Sequence, residues 1–117
     1  MADPVAYFEI VGGDGERQQG FYRELFGWRP APVESTGGTY ARVAAQDAGI
    51  EGGVGAFPGG PSYVAVYVRA DDPADALRRA VDLGATALME PQEVRPGVTV
   101  AMFRDPAGNA VGLISGV

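Results

Sequence analysis

The sequence predicts an α+β protein made of two tandem βαβββ modules. Three observations carry this prediction. A strand-like run followed by a capped helix occurs twice. The two occurrences keep the same offset, so that Asp14 and Asp71 are as far apart as Gly27 and Gly84. After each helix, short runs of strand formers alternate with turn-forming clusters.

The first strand is "VAYFEIV", residues 5–11, whose alternation puts Ala6, Phe8 and Ile10 on one face and Val5, Tyr7 and Glu9 on the other. "GGDGE" breaks it. Asp14 is placed to cap a helix, because its carboxylate accepts amide hydrogens left unpaired in the first turn. "ERQQGFYRELF" follows with Phe21, Tyr22, Leu25 and Phe26 spaced as a buried stripe, and Gly27 ends it. Three strand candidates complete the half: "WRPAPV", "TYARVAA" and "GIEGGVGAF". "PGGP", residues 58–61, reads as the linker between halves.

The second half opens with "SYVAVYV", residues 62–68. Val64, Val66 and Val68 share the face expected to lie under a helix, and Tyr63, Ala65 and Tyr67 share the other. Asp72, Pro73 and Asp75 form a helix start, Leu77 and Val81 its apolar stripe, and Gly84 its stop. "ATALMEP", "TVAMFRD" and "AVGLISG" are the remaining strands, with "RPG" and "DPAGN" as turns. One domain covers residues 1–117, with module one at about 4–57 and module two at about 62–116.

Composition narrows the function. The chain is 46% apolar and 21% charged, the balance of a folded globular protein. Fifteen acidic against nine basic residues give a net charge of −6, which disfavours nucleic acid and anionic membrane as partners. The absence of cysteine removes disulfides and thiolate chemistry, and the absence of histidine removes the commonest metal ligand and general base. No apolar run reaches the length of a membrane span, and "MADPVAYFEI" has no signal-peptide pattern, so the expected compartment is the cytoplasm.

"FEIVGGDGERQQGFYRELFGW" and "FRDPAGNAVGLI", within a duplicated βαβββ chain, resemble the vicinal oxygen chelate superfamily of glyoxalases, bleomycin-resistance proteins and extradiol dioxygenases. The likeness is greatest to short glyoxalase-like proteins. It implies a mixed sheet curled around a groove, and often a homodimer. A small two-module sheet also leaves edges to be covered. Tyr7, Glu9, Tyr63 and Tyr67, on the face away from the helices, suit the wall of such a groove, which both halves supply; a wet sheet surface or an interface is the alternative.

In metal-dependent members, the resemblance implies one His or Glu on the first and last strand of each module. Carried onto this chain, those positions hold Tyr7, Glu51, one of Tyr63, Val64 and Ala65, and Gly112. Only Glu51 is of a ligand type, with Glu9 near enough in sequence to join it. Such an oxygen-only set suits magnesium or manganese better than zinc. The expectation is therefore a metal-free protein, with a divalent metal as the alternative.

The candidate ligand-binding residues are Tyr7, Glu9, Trp28, Glu51, Tyr63, Tyr67 and Gly112, and Glu9 and Glu51 are the candidate general bases. Trp28 reads either as a stacking surface for a planar ligand or as core. Arg17, Arg23, Arg78 and Arg79 read as a solvated helix surface. The leading function is sequestration of a small aromatic or amphipathic molecule. Its alternatives are a glyoxalase-like lyase, isomerase or dioxygenase using a weakly held metal, and a metal-independent enzyme with a glutamate base.

Overall fold

The computed structural model describes residues Ala2–Val117. Both repeats have the expected order of elements. The first runs β1 (Val5–Val11), α1 (Gly15–Phe26), β2 (Ala31–Pro32), β3 (Tyr40–Val43) and β4 (Glu51–Gly55), with a 3₁₀ turn at Glu34–Thr36 and a short helix, α2, at Ala45–Ala48. The second runs β5 (Tyr63–Arg69), α3 (Pro73–Asp82), β6 (Thr86–Arg95), β7 (Val98–Arg104) and β8 (Ala110–Ser115). The chain divides into two compact units, one of Tyr7–Val64 and one of the residues through Ala6 with Ala65–Val117. The class is α+β, with parallel and antiparallel pairs in each unit.

In the Tyr7–Val64 unit the strands lie in the order β2-β3-β4-β1. β1 and β4 are parallel, with Tyr7 opposite Glu51 and Glu9 opposite Gly53. β3 runs antiparallel to β4 and to β2. β2 is far shorter than "WRPAPV" suggested, because Pro30 and Pro32 offer no amide hydrogen to a ladder. The segment after Trp28 is held instead by Arg29, whose amide and guanidinium bond the Asp47 carboxylate of α2 at 2.9 and 2.6 Å. That pairing holds the Asp47 carboxyl below the usual carboxylate range.

Helix α1 starts as expected, with the Asp14 carboxylate accepting the Arg17 amide at 3.2 Å. Its buried side is not the expected one. Phe21 and Leu25 are 54% and 59% exposed, whereas Gly15 and Gln19 are buried. The Gln19 side-chain amide donates to the Gly38 carbonyl at 2.9 Å. The helix therefore docks through a small residue and a hydrogen bond, a contact that hydrophobic spacing alone does not reveal. Tyr22 and Phe26 turn towards Trp28, with ring centroids 5.6 and 5.2 Å from the indole.

In the other unit the order is β5-β8-β7-β6, with β5 parallel to β8 and β7 antiparallel to both neighbours. Asp72 caps α3 by accepting the Asp75 amide at 3.1 Å. The "DPAGN" turn closes on Asp105, whose Oδ1 accepts the amides of Ala107 and Asn109 at 3.0 and 2.8 Å. Those bonds, Asn109's first, hold the Asp105 carboxyl low. Arg78 and Arg79 both pair with Asp75 on the exposed face of α3, as the sequence suggested.

The valines of β5 do not form the floor under α3. Val66 is exposed, and Ala65 and Tyr67 are the buried pair of that strand. α3 instead lays Leu77 against Ala101 of β7 and Leu113 of β8, with Ala70, Ala76 and Phe103 around them. The helix follows the strands that return beneath it rather than the strand that precedes it.

This geometry separates two residues that the sequence treats as one stripe. Leu77→Ala is expected to cost about 2–5 kcal/mol, and Val81→Ala, at an exposed position, less than about 0.5 kcal/mol. Urea unfolding of the two variants measures the difference.

Candidate functional site

The Tyr7–Val64 unit holds a buried carboxylate. Alternation along β1 puts Tyr7 and Glu9 on one face, and Glu9 is only 5% exposed. Burying an ionisable side chain is costly unless its oxygens find donors. Here they do. The Tyr63 hydroxyl, from the start of β5, donates to Oε1 at 2.6 Å. The Tyr40 hydroxyl, from β3, donates to Oε2 at 2.8 Å and lies 2.7 Å from the Tyr7 hydroxyl. The four groups form one continuous hydrogen-bonded chain.

Tyr40 reaches Glu9 because β4, the strand between them, carries glycine. A Cβ on Gly53 would overlap the Tyr40 hydroxyl and ring. Gly53 stands opposite Glu9 on β1 and opposite Arg42 on β3, so the ring passes over the one residue that has no side chain. Phe57 stacks on the far side of Tyr40, with centroids 5.0 Å apart and planes inclined by 19°. Burial first, then the charge of Glu9, pushes the Tyr40 phenol well above its usual ionisation range. The Tyr63 phenol is raised as well, again by burial first and then by its bond to Glu9.

The same unit has a cleft of about 370 Å³. Ile10, Val11 and Val64 give it apolar walls, and Gln18, Ser62 and Tyr63 give it polar ones. Tyr63 belongs to both features: it lines the cleft, and its hydroxyl covers one oxygen of Glu9.

The structure thus joins Tyr7, Glu9 and Tyr63 of the sequence-derived candidates and adds Tyr40. The signal for Tyr40 was the aromatic in "TYARVAA" together with paired glycines in "GIEGGVGAF", but connecting them needs the β3–β4 register. Glu51 stands opposite Tyr7 in the ladder but is exposed. Trp28 is placed elsewhere, packing on Phe8 with centroids 5.4 Å apart, on the β1 face opposite Glu9.

Tyr67 and Gly112 are neighbours in the other unit. They are paired across β5 and β8, and the Tyr67 ring lies where a Gly112 side chain would begin. The Tyr67 hydroxyl is 3.7 Å from the Met102 sulfur.

These residues do not fit the divalent ion that the resemblance implies. A glutamate at position 112 would overlap the Tyr67 ring, Glu51 faces solvent, and both Glu9 oxygens already accept phenol hydroxyls. Among the described residues, no three His, Cys, Asp or Glu side chains gather as a set able to hold a metal.

The raised phenols have a measurable consequence. Because their folded-state values lie above the usual one, the neutral phenols contribute stability that is complete below about pH 10. That contribution is lost as pH rises further, where the unfolded chain ionises and the folded one resists. Alkaline titration followed by near-ultraviolet phenolate absorbance should leave Tyr40 and Tyr63 un-ionised until the protein unfolds. Tyr40→Phe and Tyr63→Phe variants identify them.

The fold and the site can now be set beside known proteins. A family model described as a glyoxalase-like domain matches residues 11–114. No protein of curated function is similar enough in sequence to match. Among solved structures, the chain is similar to methylmalonyl-CoA epimerase from Mycobacterium tuberculosis, with a TM-score of 0.68 and 13% identity over 97% of this chain and 87% of that one. It is similar to a superfamily member described as glyoxalase/bleomycin resistance protein/dioxygenase from Vibrio splendidus 12B01, with a TM-score of 0.65 and 15% identity over 97% and 99%. It also resembles the Mn(II)-bound glyoxalase from Novosphingobium aromaticivorans, with a TM-score of 0.66 and 21% identity, where 99% of this chain spans 40% of that protein. At such identities these structures speak to fold alone. No helix among the described residues is long and apolar enough to cross a membrane. With the family model spanning nearly its whole length, the chain belongs to the glyoxalase-like domain family of the vicinal oxygen chelate superfamily.

Proposed function

We propose that the protein binds a small aromatic or amphipathic molecule without a metal, in the cleft lined by Ile10, Gln18, Ser62, Tyr63 and Val64, and holds it rather than converting it. One observation carries this reading: an open cleft of about 370 Å³ sets the polar Gln18, Ser62 and Tyr63 beside the apolar Ile10 and Val64. Apolar walls with a few oriented polar groups are what a small-molecule site needs. The metal-dependent alternative would require Glu51 and Glu9 to act on one ion, and one of them is exposed while the other is buried.

A second reading has its own support. Tyr63, a residue that lines the cleft, donates its hydroxyl to Glu9 at 2.6 Å. This arrangement suits metal-independent acid–base catalysis, with Glu9 as base and Tyr63 as its contact with substrate.

Elemental analysis of protein purified without chelator, paired with a thermal-shift screen of aromatic compounds, tests the proposal. The expected result is far less than one metal per chain and melting temperatures raised by ligands that remain chemically unchanged. Stoichiometric metal would defeat the metal-free reading, and turnover abolished by Glu9→Gln would favour the enzyme.

The same proposal includes a homodimer, since Phe21 and Leu25 leave apolar area on α1 in solvent. Sedimentation velocity should report twice the monomer mass.

A further inference from the structure

We infer that the cleft selects an uncharged ligand whose head carries a hydrogen-bond donor and an acceptor side by side, as a primary carboxamide or a lactam does, and that Gln18 reads that head. This deepens the proposed binding function and rests on it. Two residues fix where the cleft lies. Ile10 is on the face of β1 opposite Glu9, and Gln18 comes from α1. The polar chemistry open to a ligand there is set by the lining and not by the buried carboxylate.

No residue of that lining is acidic or basic. An ion entering it would give up part of its water shell and meet no opposite charge in return. A neutral molecule loses less. Tyr63 has already given its hydroxyl hydrogen to Glu9 at 2.6 Å, and the Gln18 backbone amide donates to the Asp14 carbonyl at 3.0 Å. Among the described residues, neither the Gln18 side-chain amide nor the Ser62 hydroxyl bonds another residue. Ser62 is exposed, so water serves it as well as a ligand would. Gln18 is half-buried and works within the walls of the cleft.

A side-chain amide presents an acceptor oxygen beside a donor nitrogen. A head with the complementary pair satisfies both at once, through two parallel hydrogen bonds. A carboxylate offers two acceptors and sets one against the amide oxygen. An amidinium offers two donors and sets one against the amide nitrogen. Turning the Gln18 amide over changes neither mismatch. Gly12 helps to shape the wall, because a Cβ there would overlap Ser62; its bare backbone lets Ser62 close against the end of β1. Ile10 and Val64 supply surface for the apolar body. A volume of about 370 Å³ lies near the lower end of small-molecule sites, which run from roughly 300 to 1,000 Å³, and suits a single ring.

Titration of the full chain with benzamide, benzoate and benzamidinium, followed by NMR at neutral pH, tests the inference with three molecules of one shape. Benzamide should bind at least ~10-fold more tightly than either ion, with shifts centred on the amides of Gly12, Gln18 and Ser62. Gln18→Ala should weaken benzamide by a similar factor. Gln18→Glu replaces the mixed edge with two acceptors, so benzamidinium should then bind more tightly than benzamide. A merely structural glutamine would not invert a preference.

Glutamate near the start of a helix suits its dipole, so Gln18→Glu should fold. If circular dichroism shows otherwise, the wild-type order of the three ligands decides alone. Equal affinity for benzamide and either ion, an unchanged order in folded Gln18→Glu, or shifts centred away from Gly12 and Gln18 each overturn the inference. Metal-free binding of an aromatic survives all three results. If none of the three binds but the thermal-shift screen yields another ligand, the amide is wrong and the binding function stands. If neither experiment finds a ligand, both fall.

Discussion

The architecture of the Tyr7–Val64 unit depends on keeping the Glu9 carboxylate hydrogen-bonded where water is excluded. An unpaired carboxylate there would cost several kilocalories per mole, and the β4 residue opposite Glu9 is Gly53, which has no side chain to offer it. The donors come from further away, from Tyr40 on β3 and Tyr63 at the start of β5. Strand spacing explains why two long phenols are used. β3 and β1 are separated by β4, so only a side chain that spans roughly two strand spacings of about 4.8 Å can bridge them. Gly53 leaves the path open. Among the described residues, no buried side-chain nitrogen or oxygen lacks a partner, so the polar interior is fully satisfied and highly specified.

Much of the fold was legible because its signals are local. Asp14, Asp72 and the "DPAGN" turn act where they stand in the chain, through bonds to residues two to four positions away. β1 and β5 were equally legible, since alternation needs no partner. What misled was the inference from apolar spacing to burial. Phe21 and Leu25 have the right period and remain exposed, while Gln19 is buried by a bond to Gly38 that no periodicity encodes. Val66 failed for a related reason: the face of a strand can be read from sequence, but which element covers that face cannot.

The site was half legible. Tyr7, Glu9 and Tyr63 follow from alternation on two strands. Tyr40 does not, because its role depends on the pairing of β3 with β4, a non-local fact. Glu51 had the right chemistry at the family position, yet it opens β4 where the side chain meets solvent. Chemistry of residue type was a poorer guide here than the space left by glycine.

Both units use that space, on different strands and to different ends. In each unit a tyrosine ring lies across a glycine of a neighbouring strand: Tyr40 over Gly53, and Tyr67 over Gly112. Both glycines stand where a longer residue would have driven the ring out. The difference is at the tip of the ring. The Tyr40 hydroxyl meets a carboxylate and another phenol at hydrogen-bonding distance, whereas the Tyr67 hydroxyl approaches a thioether at 3.7 Å, a weak acceptor. A phenol on a buried carboxylate satisfies an acceptor that burial would otherwise leave without a donor. The first-strand counterpart of Tyr67 over Gly112 is Phe8 over Gly52 in the other unit, so Tyr40 over Gly53 is an addition of the Tyr7–Val64 unit, and it is the ring that brings a donor to Glu9.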